Sequence, residues 1–283
     1  MSSSAPSSSP PSAKPAFDLA YSIDDVVLDP HRDGQFLYRR LELAMLREGT
    51  IAGGRTLDVA CGVGSLATAV AARGGEAVGL EPSSDMLGLA RWVHPDSSAL
   101  FARGVAETLP FRDATFDRII CQGSLDHFVE PRVFMREAAR VLRPEGRVVI
   151  ALANYGSLSC RLGRRLHRSV PPSGRPYWHI PDDHNHNGDI AFVRSLGGPE
   201  LGLERCYGIS LFWQLRRGEG WAWGKWLDRR PRRFADVALA ALDRIAFRQP
   251  SLADMIISVW RRKGAHDASI RKDAAARSGL HNR

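Results

Sequence analysis

"TLDVACGVGSLATAVAARGGEAVGLEP", residues 56–82, decides the fold. An apolar run ends at Asp58. A loop containing Gly62 and Gly64 follows, then a helix of small residues, a second apolar run, and Glu81. Strand, glycine loop, helix and strand in this order open a parallel α/β sheet, which binds ligands at the carboxyl ends of its strands. Glycines let backbone N–H groups and a ligand approach closely. An acid ending the second strand can accept hydrogen bonds from both hydroxyls of a ribose. The stretch therefore predicts a nucleoside-binding edge. The Walker pattern is absent, since no Gly-Lys-Ser/Thr follows. In the dinucleotide pattern GxGxxG the third glycine position is Ala67, a permitted substitution, so a dinucleotide stays open at this point.

Upstream, residues 36–47 place Phe36, Leu37, Leu41, Met45 and Leu46 at helical spacing. Downstream, strands are predicted at 57–60, 77–80, 100–102, 116–121, 147–152, 203–210 and 254–260. Helices are predicted at 65–72, 83–93, 131–142 (Pro131 at its start), 190–196 and around 237–247. "RPEG", residues 143–146, reads as a helix stop and turn. This alternation predicts a doubly wound, mostly parallel, seven-stranded sheet with helical cap insertions. Residues 17–50 form a helical cover and 51–262 the main domain. Within it, 154–188 reads as a lid and 211–250 as a Trp/Arg-rich cap.

The 283 residues are enough for one large α/β domain. Residues 1–16 are Ser/Pro-rich and read as a disordered leader, and 263–283 as a flexible basic tail. No apolar run approaches the ~20 residues of a membrane span. Four widely spaced cysteines point to reduced thiols and a cytoplasmic protein. The net charge of +8 is concentrated in two stretches, 216–233 and 261–283, each with seven Lys/Arg against two acids. No aromatic-basic motif of a known type accompanies them, so nucleic acid is not the expected partner.

Four segments occur in this order and spacing: "LDVACGVG", "GLEPSSDMLGLAR", "AETLPFRDATFDRIICQGSLDHF" and "EAARVLRPEGRVVIA". Together they resemble class I S-adenosylmethionine-dependent methyltransferases of the ubiquinone/menaquinone methyltransferase type, over roughly residues 35–155. The resemblance implies a Rossmann-like methyltransferase fold and S-adenosylmethionine as cofactor. It implies that Asp58, Ala60, Gly62 and Gly64 lie under the methionine and ribose, and that Glu81 clamps the ribose. Pro82 and Met86 would line the adenine pocket, Ala106 and Glu107 its edge, and Gln122 and Gly123 would border the sulfonium. The family often has glycine at Ala60 and usually an acid at Val105, so adenine would be held by backbone or by Glu107.

Methyl transfer needs a base only where the acceptor must lose a proton. His127, in "GSLDHF" beyond the fourth strand, is the base candidate, with a loop-capping role as the alternative reading. Asp126 beside it reads as a solvated acid. "YWHIPDDHNHNGD", residues 177–189, offers His179, Asp182, Asp183, His184 and His186 as potential bases or metal ligands. It reads best as a polar lid with His184 or His186 contacting substrate, and a solvent-facing turn is the alternative. Tyr155 is placed toward the same region. The spacing of this cluster matches no metal motif, so no metal is expected. Trp213, Trp221, Trp223 and Trp226 among arginines suit the mouth of an amphiphilic acceptor site or a peripheral membrane contact. Packing on the sheet, or on a second subunit in a homodimer, is the alternative. The expected activity is methyl transfer to oxygen or carbon of a small-molecule or lipid-like metabolite, as in secondary metabolism. An RNA or protein methyltransferase and a non-catalytic scaffold subunit are the competing classes.

Overall fold

The computed structural model of the protein describes residues 35–166, 180, 184–211 and 242–263. The Trp/Arg-rich stretch at 213–226, both basic runs apart from residues 261–263, the leader, and His179, Asp182 and Asp183 lie outside the described residues. In chain order the elements are α1 (Gln35–Gly49), β1 (Arg55–Val59), α2 (Ser65–Ala71), β2 (Glu76–Glu81), α3 (Ser84–Val93), β3 (Leu100–Arg103) and β4 (Phe116–Gln122). A 3₁₀ turn (Leu125–His127), α4 (Pro131–Val141), β5 (Leu142–Ala153), α5 (Leu158–Leu166), α6 (Ile190–Ser195) and β6 (Leu201–Ile209) follow. A helical stretch α7 (242–248) and β7 (Met255–Arg262) complete it.

One seven-stranded sheet runs in the order β3-β2-β1-β4-β5-β7-β6. The first five strands pair in parallel, and β7 is antiparallel to both β5 and β6. The central strands are apolar on both faces, as a covered parallel sheet requires. One face buries Leu57, Ile119, Val148 and Ile150 against Phe134, Ala138 and Val141 of α4. The other buries Ile120, Val149 and Val259 against Leu41 and Met45 of α1 and Ala67 and Val70 of α2. The doubly wound reading holds on both faces.

The "RPEG" segment differs from its sequence reading. It does not end before the fifth strand but belongs to it, since β5 runs from Leu142 to Ala153. Phe116 pairs with Leu142, and the next pair is Arg118 with Arg147, so residues 143–146 bulge out of the ladder. Gly146 permits this, because a Cβ there would lie 2.5 Å from Leu142 Cγ. Arg143 Nη1 donates to Asp117 Oδ2 at 2.7 Å and fastens the bulge to β4. The "LPFRD" segment is held from α4. Arg140 donates to the Leu109 and Phe111 carbonyls at 2.9 and 2.8 Å, and the Leu109 N–H donates to Glu137 at 3.0 Å.

Asn154, at the end of β5, is the central polar clamp on the side of the sheet edge where the lid begins. Its Nδ2 donates to the Ala253 carbonyl at 2.7 Å and to that of Pro250 at 3.1 Å, and its Oδ1 accepts from the Gly156 N–H at 3.0 Å. The side chain is buried. Asn154→Ala is expected to destabilise the fold by about 3 kcal/mol, because buried carbonyls lose their donor. The denaturant midpoint measures this, and a change below about 0.5 kcal/mol would show that the clamp is redundant.

Candidate active site

The site is built where β1, β2 and β4 end. After Val59 the backbone turns through three positive φ values: Ala60 (56°), Gly62 (54°) and Gly64 (73°). Ala60 takes this conformation at a steric cost of about 1 kcal/mol, which a glycine would avoid. Gly64 is required for a second reason. A Cβ there would stand 2.3 Å from Phe101 Cε1. A Cβ on Gly62 would meet nothing within 4 Å, so this part of the loop borders open space.

Two buried carboxylates hold the loop from beneath. Asp58 Oδ2 accepts from the Ala67 N–H at 3.1 Å, which anchors the first turn of α2. Glu81 Oε2 accepts from the Gly62 N–H at 3.0 Å, and Oε1 from the Ser83 N–H at 3.1 Å. Glu81 thereby ties the tip of the loop to the start of α3, where Ser83 Oγ accepts from the Met86 N–H at 3.3 Å. Among the described residues no cation is paired with either acid. Burial pushes the Asp58 carboxyl up to about 7, with the neighbouring Glu81 adding to the rise, and burial raises Glu81 as well. Burial also raises the Cys61 thiol.

The shift at Asp58 has a signed consequence. The folded protein keeps this proton up to about 7, whereas the unfolded chain releases it near 3.8. Between those values the folded state holds the extra proton, so this group's contribution to stability falls as pH rises to about 7 and is level above it. Asp58→Asn keeps an acceptor for Ala67 and is expected to flatten that slope. Melting temperature against pH measures it, and an unaltered slope would place the proton elsewhere.

Residues at the end of β4 and around the start of α3 complete the floor. Gln122 Oε1 is buried and has no hydrogen-bond partner among the described residues. Gly123 has φ 68° and its Cβ direction is open. Pro82 and Met86 are half-buried at the start of α3. Ala106 packs in the core below them. The Glu107 carboxylate accepts from the Val129 and Glu130 N–H groups at 3.1 and 3.4 Å, so it secures the entry to α4.

Beyond β4 the chain meets the lid. The side chain of Asp126 is 3 % exposed, which corrects its reading as a solvated acid. It is buried because Leu125 and Phe128 on either side turn into the core. Its carbonyl accepts from the Asn185 and His186 N–H groups at 2.9 and 3.1 Å, and Asn185 Nδ2 donates to the His127 carbonyl at 2.7 Å. These bonds bring His184 to Asp126, with Nδ1 3.0 Å from Oδ2 in ion-pair contact. The His184 ring stands edge-on to His127 at 4.4 Å between centroids and to Tyr155 at 5.6 Å. His186 is not part of this group. Its ring stacks on Phe192 at 5.2 Å, and Nε2 lies 3.4 Å from the Val129 carbonyl. Sequence reasoning missed Asp126 and Asn185 as site residues. The apolar neighbours Leu125 and Phe128 were the one local signal for the first, and the second is defined only by the contact between segments.

A glycine loop over two buried acids at the carboxyl edge defines a nucleoside-binding α/β domain. The family profile described as "Methyltransferase domain" matches residues 57–150. A demethylmenaquinone methyltransferase from Clavibacter sepedonicus is 40% identical over 101 residues, 35% of this chain and 41% of that protein. A ubiquinone biosynthesis O-methyltransferase from Sodalis glossinidius is 30% identical over 118 residues, 41% of this chain and 47% of that protein. The chain thus spans less than half the length of these curated relatives. The crystal structure of the PH0226 protein from Pyrococcus horikoshii shares the fold, with a TM-score of 0.54 at 21% identity, over 84% of this chain and 94% of that one. Residues 57–150 therefore match a methyltransferase domain, whose cofactor is S-adenosylmethionine.

The residues present fit that cofactor. Open space over Gly62 and Gly123 leaves room for it, the Glu81 carboxylate suits its ribose hydroxyls, and the Asp58 carboxyl, with no cation partner among the described residues, suits its ammonium group. Gln122 offers an acceptor without a partner among the described residues. Among the described residues no helix is long and apolar enough to cross a membrane, and all four cysteines are free.

Proposed function

We propose that the protein transfers a methyl group from S-adenosylmethionine to an oxygen or carbon of a small-molecule or lipid-like acceptor, with a phenolic or quinol acceptor favoured. The carrying observation is the Glu81 carboxylate bonded to the Gly62 loop, at the same sheet edge as Asp126, His127 and His184. The names of the two curated relatives support the quinol class.

The bound cofactor supplies a methyl group on a sulfonium, already activated for in-line displacement. The chain's own residues therefore bind, align and exclude water. Glu81 orients the ribose, while Asp58 and Gln122 offer acceptors to the amino-acid end and the region of the sulfonium. Gly62 and Gly123 leave the approach open. His127 and His184 stand where the acceptor enters, and either imidazole can take a hydroxyl proton. Asp126 Oδ2, 3.0 Å from His184 Nδ1, fixes the orientation of that ring. Tyr155 walls the same space. His186, from the same segment, supports the lid rim. A peripheral membrane contact or a homodimer through the Trp/Arg cap remains part of this reading, as a route for amphiphilic acceptors.

The test is calorimetric titration with S-adenosylmethionine and S-adenosylhomocysteine, followed by turnover with hydroquinone and catechol acceptors. Micromolar cofactor binding and S-adenosylhomocysteine formation with a phenolic acceptor are expected. Cofactor binding without turnover on any phenol would overturn the acceptor class. Binding of neither cofactor form would overturn the whole reading.

A further inference from the structure

We infer that Asp126, His127 and His184 form a binding site for a divalent first-row transition-metal ion. One ligand atom from each residue lies within 4.8 Å of the other two. Metal–nitrogen and metal–oxygen bonds of about 2.0–2.2 Å place donor atoms at most about 4.4 Å apart, so the widest pair closes by only a few tenths of an ångström. The Asp126–His184 separation of 3.0 Å is already that of neighbouring ligands.

Three further observations point the same way. First, Asp126 is buried, its side chain 3 % exposed, and His127 and His184 beside it are half-buried. Asp126 Oδ1 is buried and has no hydrogen-bond partner among the described residues, a costly arrangement for an acceptor with nothing to receive. Second, two chain segments 58 residues apart are cross-linked around the cluster by backbone and side-chain bonds from Asn185 and His186. The donors are thus held in place by the protein itself. Third, no Lys or Arg among the described residues pairs with Asp126. Two imidazoles and one carboxylate are the donor set of transition metals, not of Mg²⁺ or Ca²⁺, and three protein ligands leave coordination positions open. The linear spacing of residues 179–189 shows no metal pattern because two of the three donors come from 126 and 127.

The open positions suit an acceptor with two neighbouring oxygens. Its hydroxyl would release a proton to solvent on coordination, and the oxygen would then form its bond to the methyl carbon as the carbon–sulfur bond breaks and S-adenosylhomocysteine leaves. This last point rests on the methyl-transfer reading, with the metal ion taking over from the His127 and His184 imidazoles the task of freeing the hydroxyl oxygen, whereas metal binding itself does not.

The experiment uses the untagged full chain, stripped with EDTA. Co²⁺ titration is followed by visible d–d absorption and Zn²⁺ titration by calorimetry, alongside a separate cofactor titration. One equivalent is expected to bind, with intense four- or five-coordinate cobalt bands that EDTA abolishes. Asp126→Asn and His184→Gln are expected to weaken Zn²⁺ by at least about 100-fold, and His94→Gln, outside the cluster, to leave it unchanged. Melting curves report whether each variant folds, and the EDTA-reversible bands of the unaltered chain stand without any variant. Cobalt bands no stronger than those of the hydrated ion would overturn the site. So would Zn²⁺ affinity within about threefold in both folded variants, or binding of Mg²⁺ alone. Failure of the metal titration with intact cofactor binding leaves the methyl-transfer reading standing, and the reverse result separates the two equally.

Discussion

Glu81→Ala is expected to weaken S-adenosylmethionine binding by about 100-fold or more, equivalent to about 2.7 kcal/mol. Two losses combine. The carboxylate oxygens now accept from the Gly62 and Ser83 N–H groups, so their removal frees the loop tip and the start of α3 together. The same oxygens are the acceptors offered to the ribose hydroxyls. Glu81→Gln keeps one acceptor oxygen and the side-chain volume, so its affinity should fall between the two. Calorimetry on folded protein decides the matter, and wild-type affinity in Glu81→Ala would refute the ribose assignment.

The second large effect separates two glycines of one loop. Gly64→Ala is expected to cost about 3 kcal/mol of stability, from left-handed backbone strain and from the overlap with the Phe101 ring. Gly62→Ala carries the backbone strain alone, about 1 kcal/mol, because its Cβ meets no protein atom. That methyl group projects into the space assigned to the cofactor, so Gly62→Ala should lose more affinity than stability. Denaturant unfolding and cofactor titration of both variants give the comparison. Equal stability losses would show that open space at Gly62 is not what distinguishes the pair.

The cofactor edge was legible because its determinants are contiguous. Asp58, the two glycines and Glu81 lie within one strand–loop–helix–strand unit, and each needs a residue type that few others can replace. The seven strands were legible for a similar reason: apolar runs such as 119–121 and 148–152 leave little alternative. The start of β5 was not. Residues 143–146 have turn chemistry, and they remain in the strand only because Phe116 and Leu142 pair across the bulge. Asp126 and His184 were illegible as a pair, since their meeting depends on Asn185 and His186 donating to a carbonyl in a distant turn. Glu107 has a structural task that its resemblance-based reading did not include, since Oε1 accepts from two N–H groups at the entry to α4.

The strand order has a consequence for how the molecule comes into being. β6 is made before β7, yet its partner in the sheet is β7, which slots between β6 and β5. On the ribosome, residues 210–254 must be added before that partner starts to emerge, a delay of about 2–9 s at about 5–20 residues per second. During this interval the outer rim of β5 and the whole of β6 present open ladders, each a template for a neighbouring nascent chain. The final strand therefore acts as a keystone. Rapid production of the protein places its greatest demand on chaperones late in synthesis, after the cofactor edge has already been made.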